Sequence, residues 1–348
     1  MKVLVQTGKS PSISEVSRQI AYVVEQRGHI AILNRGLPSY YDWKKVCDAL
    51  ILVYPVSPVW SISHFLHYYN AKKQLQGRVL FYTTCDGVPK RYQFADWCFR
   101  EVQLVANSNF TRKCLERCGF KVIDVVHHGV LTEELKLAQY KVNEYKRIIQ
   151  KRFGDRIVFG VVSDDNPRKG IDKLLNALRI LQQKRDDYVV LLVSKKNVVA
   201  KLKDVKNVYL TAEFGSRQHF EILGFMGACH FTIFPSLCEG FGLPVLESMS
   251  MKTPVIHAWF EPLTEFSIKD GNITIDIIGE YEYDSQEGIF YIMHEYDEVE
   301  LANAIDSAID IVKKYKSQYE DMQIKVYEQA MKFKSEDLYS KLLDMIGL

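Results

Sequence analysis

The sequence predicts an α/β protein built from two Rossmann-like, doubly wound parallel-sheet domains that face each other across a cleft. Short apolar runs rich in β-branched residues alternate with helical patterns, as expected for parallel strands that are buried on both faces. The alternation occurs as two separate series, and the length of 348 residues suits two domains. Alternating strands and helices form right-handed βαβ units, which assemble into doubly wound sheets.

The first series contains six predicted strands. They cover residues 2–6, 30–33, 49–54, 78–82, 102–106 and 121–126. After the first strand, apolar residues from Ile13 to Val23 recur on one helical face, with the letters SISE as a capping box and Gly28 as the stop. This series defines the first predicted domain, residues 1–152.

The second series follows a polar, helical connection at residues 137–156. Its six predicted strands cover residues 157–162, 188–193, 207–210, 230–234, 254–257 and 288–292. After residue 297 the pattern is helical to the last residue. This series defines the second predicted domain, residues 153–331. We call residues 1–152 the first half and residues 153–348 the second half.

The composition is that of an ordinary globular protein, with 47% apolar and 25% charged residues. No apolar run reaches the ~18–20 residues that a membrane span needs, and the first apolar stretch is too short for a signal peptide. These features predict a cytoplasmic protein. The seven cysteines include no CxxC pair, which argues against a disulfide framework or zinc ribbon and favours buried thiols.

Charge is divided unequally between the halves. The first half carries 23 Lys and Arg against 12 Asp and Glu, a net charge of +11, whereas the second half carries 22 against 31, a net charge of −9. The basic first half indicates an anionic partner, or peripheral contact with the inner face of a membrane. Undirected drift in surface charge is the alternative explanation.

The stretch CEGFGLPVLE, residues 238–247, leaves a predicted strand and enters a predicted helix. Gly240 and Gly242 let backbone N–H groups approach a ligand closely, and the helix N-terminus favours a negative charge such as a diphosphate. Glu239 and Glu247 can accept hydrogen bonds from hydroxyl groups. The stretch therefore predicts a site for a sugar or ribose beside a phosphate, although isolated glutamates would only be solvated or complement the helix dipole.

The stretch DDNPRKG, residues 164–170, also connects a predicted strand to a helix. Arg168 and Lys169 at a helix start can hold phosphates. A solvated basic turn would have the same letters. Because ligands of open α/β sheets bind beyond the carboxyl ends of strands, we expect this loop to face the 238–247 loop.

Two further candidates follow strands of the first half. Asp86 lies in YTTCDGVP and His128 in VVHHGV, and both could reach a cleft between the halves. An Asp-Gly pair is also typical of a plain turn, and a single histidine is more often structural. The letters GKS at residues 8–10 lack the earlier glycine of a P-loop, and no DxD occurs, so neither a P-loop nor a carboxylate clamp for a metal is indicated.

These segments together resemble one enzyme family. PSLCEGFGLPVLESMSMKTPVI resembles the E-x7-E region of the retaining glycosyltransferases of family 4, which have the GT-B fold of two Rossmann-like domains. GVVSDDNPRKGIDKLLNALRIL resembles the family's segment with the basic phosphate pair, and VANSNFTRKCLERCGFKVIDVVHHGV resembles the end of its N-terminal domain. Only residues 259–295 look divergent.

The resemblance implies a hexosyltransferase-type enzyme that takes a nucleotide-diphosphate sugar as donor and needs neither a metal nor another cofactor. Arg168 and Lys169 would neutralise the diphosphate. Glu239 would hold the transferred sugar and Glu247 the nucleotide ribose. Four residues would add backbone contacts to the sugar: Gly240, Phe241, Gly242 and Leu243.

The resemblance also places the acceptor in the first domain, where the basic charge favours an anionic or lipid-linked molecule. The last helix, about residues 332–348, would cross back to that domain. The reaction would retain the anomeric configuration through front-face attack, in which the leaving phosphate takes the acceptor proton.

Two positions of the site depart from the family pattern. Ser163 or Asp164 stands where the family often has an arginine, so Ser163 is a candidate substrate contact and the diphosphate would depend more on the 168–169 pair. Asp86 stands in place of a family histidine, which assigns it to catalysis and leaves His128 as a substrate contact.

Other functions fit parts of the same pattern. A nucleotide-sugar epimerase or a phosphorylase could share the fold, although no pyridoxal-lysine motif is evident. A non-enzymatic protein that binds anions or nucleic acid through the basic half is a third possibility. Nucleic acid is disfavoured because the sequence contains no recognised nucleic-acid module.

Overall fold

A computed structural model describes residues 1–8, 10–35 and 42–348 of the chain. Within these residues the strands form two parallel six-stranded sheets and one antiparallel three-stranded sheet. The predicted α/β architecture with two parallel-sheet units is confirmed. None of the helices in the described residues combines the length and the hydrophobicity of a membrane-spanning segment.

The first half supplies the first parallel sheet and its helices. The elements in chain order are β1 Lys2–Thr7, α1 Pro11–Gln26, β2 Ile30–Arg35, β3 Ala49–Val53, α2 Pro58–Gln74, β4 Val79–Thr83, β5 Gly87–Pro89, α3 Asp96–Glu101, β6 Gln103–Ala106, α4 Asn109–Cys118, β7 Lys121–Val125 and α5 Thr132–Phe153. The strand order of the sheet is β2-β1-β3-β4-β6-β7. The direction of strand succession therefore reverses between β1 and β3.

The second half supplies the second parallel sheet. The elements are β8 Ile157–Val162, α6 Ile171–Leu181, β9 Tyr188–Ser194, β10 Val208–Glu213, α7 His219–Ala228, β11 Phe231–Phe234, α8 Leu243–Ser250, β12 Val255–Ala258, β13 Ile273–Ile275, β14 Gly279–Asp284, β15 Ile289–Glu295, α9 Glu298–Lys314, α10 Lys316–Ala330 and α11 Ser335–Asp344. The strand order is β10-β9-β8-β11-β12-β13, so succession reverses between β8 and β11. Open α/β sheets bind ligands at such a reversal, beyond the carboxyl ends of the two strands.

Helix α1 forms where its apolar period predicts it, but its cap differs from the prediction. The Ser10 hydroxyl accepts a hydrogen bond from the amide of Ile13 at 3.4 Å, so Ser10 is the N-cap and SISE lies inside the helix. Pro11 explains the shift because its fixed φ suits the first helical position.

The segment 288–292 was predicted as the sixth strand of the second parallel sheet, and this prediction is wrong. The segment belongs to β15, which pairs antiparallel with β14 and β5. In β15, Ile289, Tyr291 and Met293 are buried, whereas Phe290 and Ile292 between them are half-buried. This alternation is expected for a strand with one covered face. The true sixth strand is β13, whose three residues are too short to show a pattern.

The small antiparallel sheet joins the two halves. Gly87 and Val88 of β5 pair with Tyr291 and Phe290 of β15. Beyond the strand, the amide of Lys90 donates to the carbonyl of Gly288 at 2.8 Å. The two halves are therefore connected by backbone hydrogen bonds at this edge.

Oppositely charged side chains reinforce the same edge. Three cations of the first half pair with three carboxylates of the second half: Lys90 with Asp284 at 2.7 Å, Lys113 with Glu261 at 2.8 Å, and Arg117 with Glu282 at 2.6 Å. Part of the unequal charge of the two halves is therefore used at their interface.

Two helices connect the halves in other places. Helix α5 spans 132–153 rather than the predicted 137–156, and Ala138 and Val142 of its apolar face pack with Leu223 of α7. Helix α11 packs on α1, where the Ser335 hydroxyl donates to the Gln19 side chain at 2.6 Å. The domain limits at 152/153 and 331/332 stay a prediction.

Candidate active site

The candidate site lies where β8 and β11 end beside each other. The loop after β8 contains Arg168 and Lys169, and the loop after β11 contains Glu239 and leads into α8. Both loops leave the carboxyl ends of adjacent strands at the reversal of strand order. The topology therefore brings together two segments that are about seventy residues apart in the chain.

Local hydrogen bonds give the loop after β8 its shape. The Asn166 side chain accepts from the amide of Arg168 at 3.1 Å and caps a short 3-10 turn over Pro167–Lys169. The predicted contact Ser163 is buried at the start of the loop, where its hydroxyl donates to the carbonyl of Asp164 at 3.0 Å. The hydroxyl of Ser163 is therefore used in a hydrogen bond within the loop.

The two loops interlock through their backbones. The amide of Leu237 donates to the carbonyl of Arg168 at 2.8 Å. Gly170 ends the turn at φ +68°, and a side chain there would lie 1.8 Å from the carbonyl oxygen of Pro235. The glycine allows the two loops to touch, which fixes the spacing of the charged side chains that they carry.

Lys169 and Glu239 form a close ion pair. The Lys169 ammonium donates to one carboxylate oxygen of Glu239 at 2.5 Å, and the Ser236 hydroxyl donates to the same oxygen at 2.6 Å. The side chain of Glu239 is only 7% exposed and that of Lys169 17%. Glu239 is therefore held as a carboxylate with a defined orientation at the floor of the site.

Arg168 reaches across to the first half. Its guanidinium contacts the carboxylate of Asp86 at 3.0 Å and donates to the carbonyl of Cys238 at 2.9 Å. Burial opposes its positive charge, but the carboxylates of Asp86 and Glu239 outweigh burial and raise the pKa of Arg168. The buried Nε atom of Arg168 has no hydrogen-bond partner among the described residues. The guanidinium is therefore permanently charged and retains one unused donor.

Gly240 brings the second loop against the first half. Its carbonyl accepts from the hydroxyls of Ser108 at 2.7 Å and Thr111 at 3.2 Å. A Cβ atom on Gly240 would lie 2.3 Å from the Thr84 hydroxyl and 2.9 Å from the carbonyl of Cys85. Only a glycine permits this approach.

The predicted residues after Gly240 divide into backbone and packing roles. Within the described part of the chain, the amides of Gly240, Phe241 and Gly242 donate to no protein acceptor. The Phe241 side chain is buried and stacks on Phe266 with ring centroids 4.7 Å apart. Gly242 precedes α8, whose first residue is Leu243. The free amides and the helix N-terminus suit an anion.

His128 is buried behind the second loop. Its Nδ1 lies 2.9 Å from the Tyr82 hydroxyl, which itself donates to the carbonyl of Val126, and its Nε2 lies 3.1 Å from the Asn107 amide nitrogen. Burial, followed by the nearby charge of His127, lowers the pKa of His128 to about 3. The ring is therefore neutral, and it packs edge-on against Phe241 at 5.0 Å.

Glu247 lies in α8 and has a different set of neighbours. Its carboxylate is 2.7 Å from Nε2 of His219, and Nδ1 of the same ring is 2.7 Å from Glu134 and 3.3 Å from Glu15. Burial opposes protonation of His219, but the carboxylates of Glu247 and Glu134 outweigh it and raise the pKa of His219 well above its ordinary value. His219 is therefore an imidazolium between carboxylates.

Arg18 completes this cluster. Its guanidinium contacts Glu134 and, at 2.6 Å, Glu15. Ligand atoms of Glu15, Glu134 and His219 lie within 4.8 Å of one another, a spacing that a metal ion could share, but the guanidinium already supplies positive charge to both carboxylates. We define the charge cluster as Glu15, Arg18, Glu134, His219 and Glu247.

A cavity of about 310 Å³ adjoins the charge cluster. Its apolar wall contains residues from the ends of β8 and β9, the loop after β10 and the start of α8: Val162, Val193, Phe214, Leu243 and Pro244. Arg35 and Arg217 also line it, and Glu247 lies at its polar side. The cavity is large enough for a flat heterocycle and a ribose.

Sequence reasoning found the Arg168, Lys169 and Glu239 constellation but missed most of the charge cluster. Glu15 was noticed only as part of a capping box, and His219 and Glu134 belong to no motif. The weak signal was an unusual histidine at a helix start, which by itself predicts nothing about partners more than eighty residues away.

The arrangement can bind a diphosphate between fixed cations and free amides, with carboxylates beside it for hydroxyl groups. Such a site lowers the energy of negative charge that develops on a leaving phosphate.

The fold agrees with this chemistry. Two solved structures with the GT-B arrangement superimpose on almost the whole chain. A glycosyltransferase of Rickettsia africae has a TM-score of 0.72 at 16% identity, covering 99% of this chain and 97% of that one.

The second structure is HepE of Anabaena in complex with UDP and glucose, with a TM-score of 0.68 at 15% identity and 99% of both chains covered. The chain therefore has the two-domain fold of GT-B glycosyltransferases.

Residues 142–322 match the family model of glycosyl transferases group 1. An uncharacterised glycosyltransferase of Sulfolobus islandicus rod-shaped virus 1 is 32% identical over 350 residues, which covers 99% of this chain and 100% of that protein. The chain belongs to the glycosyl transferase group 1 family and is a glycosyltransferase.

Proposed function

We propose that the protein is a retaining, metal-independent glycosyltransferase of the family 4 type that moves a hexose from a nucleotide-diphosphate sugar to an acceptor hydroxyl. The observation that carries the proposal is the Lys169–Glu239 pair with Arg168 beside it, at the reversal point of the second sheet. Cations, a carboxylate and free amides meet there, where the loops after β8 and β11 touch. Such groups stabilise the negative charge that forms when a diphosphate leaves a sugar.

The donor fits the site in one direction. The diphosphate lies against Arg168, Lys169 and the amides that precede α8. Glu239 accepts hydrogen bonds from the transferred sugar and Glu247 from the ribose. The base enters the 310 Å³ cavity. Because HepE was solved with UDP and with UDP-glucose, UDP-glucose is the first donor to test.

The chemical step is a substitution at the anomeric carbon. The acceptor oxygen forms the new bond to that carbon while the bond to the β-phosphate oxygen breaks, and the acceptor proton passes to the leaving diphosphate. The electron pair of the broken bond stays on the diphosphate, where Arg168 and Lys169 stabilise it. Attack from the face that the diphosphate leaves retains the configuration.

A double displacement would give the same stereochemistry through a carboxylate about 3 Å from the anomeric carbon. The carboxylate of Glu239 is engaged by Lys169 and Ser236, and that of Asp86 by Arg168. Both carboxylates are therefore committed as charge partners, which supports front-face attack.

The acceptor side of the proposal concerns the first half. We place an anionic or lipid-linked acceptor there, beside the loop after β4 that contains Asp86. The cations that pair with the second half are excluded from this role because Lys90, Lys113 and Arg117 already have carboxylate partners. Liposome sedimentation with neutral and anionic vesicles tests membrane contact, and equal binding to both would contradict it.

The test of the whole proposal is release of a nucleoside diphosphate from a panel of nucleotide sugars. We expect one donor to be hydrolysed or transferred at equal rates with and without EDTA, and proton NMR of the product to show the anomeric configuration of the donor. No release from any donor would contradict the function. Loss of activity with EDTA would contradict metal independence, and an inverted product would contradict retention.

A further inference from the structure

We propose that His219 is a positioning residue: it holds the Glu247 carboxylate in place for the donor ribose and links that carboxylate to the first half of the chain. This inference depends on the proposed function, because it assigns the ribose to Glu247. It concerns a side chain that belongs to no motif of the site.

The geometry fixes the imidazole from both sides. Nε2 of His219 is 2.7 Å from Glu247, and Nδ1 is 2.7 Å from Glu134. With both ring nitrogens donating, the ring can neither rotate nor exchange a proton with a substrate. His219 therefore acts through Glu247 rather than on the donor itself.

Removal of the imidazolium would leave an unbalanced group of carboxylates. The charged groups around His219 are Glu15 and Arg18 on α1, Glu134 on α5 and Glu247 on α8, and Arg35 and Arg217 line the adjoining cavity. Without His219, Arg18 would still contact Glu15 and Glu134, whereas Glu247 would lose the cation that it contacts among the described residues. Like charges at such distances repel each other, so Glu247 would turn away from the cluster.

The same cluster connects the two halves. Glu15 and Arg18 lie on α1, which follows β1 at the reversal point of the first sheet, whereas His219 and Glu247 lie on α7 and α8 of the second half. Gln19 also donates to Glu15 at 3.0 Å and accepts from Ser335 of α11. Glu247 is therefore correctly placed only while α1 stays against α7.

The pH dependence has a definite sign. The pKa of His219 is raised, so the imidazolium and its contacts are fully present at neutral pH and are lost as the pH rises through the raised value. Donor binding by the wild type should therefore weaken at alkaline pH. A variant that lacks the imidazole should not show this transition.

The decisive experiment compares His219→Gln with the wild type and with His29→Gln, a histidine far from the cleft. Loss of a hydrogen bond to a charged group predicts a donor KM and a UDP dissociation constant ~10- to 100-fold higher in His219→Gln, with kcat at saturating donor changed by less than about threefold. His29→Gln should match the wild type. Thermal unfolding verifies that each variant is folded.

A second variant covers the case in which His219→Gln does not fold. Glu134→Gln keeps the imidazole but removes the charge on its Nδ1 side, so the alkaline rise in donor KM should begin at lower pH. An unchanged donor KM in folded His219→Gln, or an unchanged pH profile in Glu134→Gln, would overturn the inference. If the wild type releases a nucleotide from its donor in the same assay, such a result leaves the proposed function standing; a wild type that neither turns over nor binds any nucleotide overturns both.

Discussion

Glu239 and Glu247 are eight positions apart, yet their surroundings differ in kind. Glu239 is neutralised within its own half by Lys169 and by the Ser236 hydroxyl. Glu247 is held by His219, whose charge is shared with Glu134 and with Glu15 of α1. One carboxylate is thus preset by local loop structure, and the other depends on how the two halves meet.

The difference predicts different kinetic effects for substitutions around the two carboxylates. In the proposed function, the groups around Glu239 face the bond that breaks, so changes there should act on kcat. The groups around Glu247 would position the nucleotide, so changes there should act on the donor KM, as the His219 variants test. The following substitutions sharpen this contrast, in order of decreasing expected effect.

Lys169→Ala removes the cation from the Glu239 end. Because a fixed charge at the leaving group typically contributes about 10²- to 10³-fold, we expect kcat to fall by that factor while the fold stays intact. Lys173→Ala is the matched control, since Lys173 lies four positions further on and pairs with Glu295 at 2.9 Å. Steady-state kinetics with near-normal turnover in Lys169→Ala would contradict the assignment of this lysine.

Gly240→Ala adds one methyl group at the contact with the first half. The new carbon would lie 2.3 Å from the Thr84 hydroxyl and 2.9 Å from a carbonyl oxygen, so the loop beside Glu239 has to withdraw. Since displacement of about 1 Å can cost 10²-fold in rate, we expect kcat/KM to drop by ~10- to 100-fold. Gly279→Ala, with open space around the added carbon, should behave as wild type. Equal kinetics of the two variants would disprove a tight approach at Gly240.

In the proposed function, Asp86 and the diphosphate of the donor compete for Arg168, and Asp86→Asn removes this carboxylate. The pair is partly exposed, with side-chain exposures of 17% for Arg168 and 25% for Asp86. Loss of such a competitor should tighten UDP binding by about two- to fivefold, which titration calorimetry can measure. Weaker UDP binding in Asp86→Asn would show that the carboxylate supports the nucleotide instead.

Glu282→Gln removes an ion pair between the two halves at β14 of the small antiparallel sheet. The Arg117–Glu282 pair is exposed, and such pairs contribute about 0–1 kcal/mol, so we expect a fall in melting temperature of a few degrees at most and unchanged kinetics. Salt at 1 M should abolish the difference from wild type. A large kinetic effect would mean that this edge controls the site.

Much of the site could be predicted from local sequence patterns, because loops that follow parallel strands meet at the same edge of the sheet. Arg168, Lys169 and Glu239 could be placed together since each follows a strand, and strands β8 and β11 prove to be neighbours. Asp86 was found by the same rule, although its partner Arg168 lies in the other half.

The rest could not be predicted because it depends on contacts between distant segments. Segment 288–292 looks like any buried strand, and only its pairing with β5 shows that it belongs to another sheet. His219 and Glu134 have ordinary neighbours in sequence, so their meeting with Glu247 required the packing of α5, α7 and α8 to be known.

The pairing of β5 with β15 restricts how the molecule can open. The backbone hydrogen bonds between β5 and β15 hold the two strands at one spacing, so this edge connects the halves more firmly than the exposed Arg117–Glu282 pair does. A relative movement of the halves that keeps these bonds has to be a rotation about the strand pair. Asp86 comes directly before β5, so it stays beside the second half in any such movement.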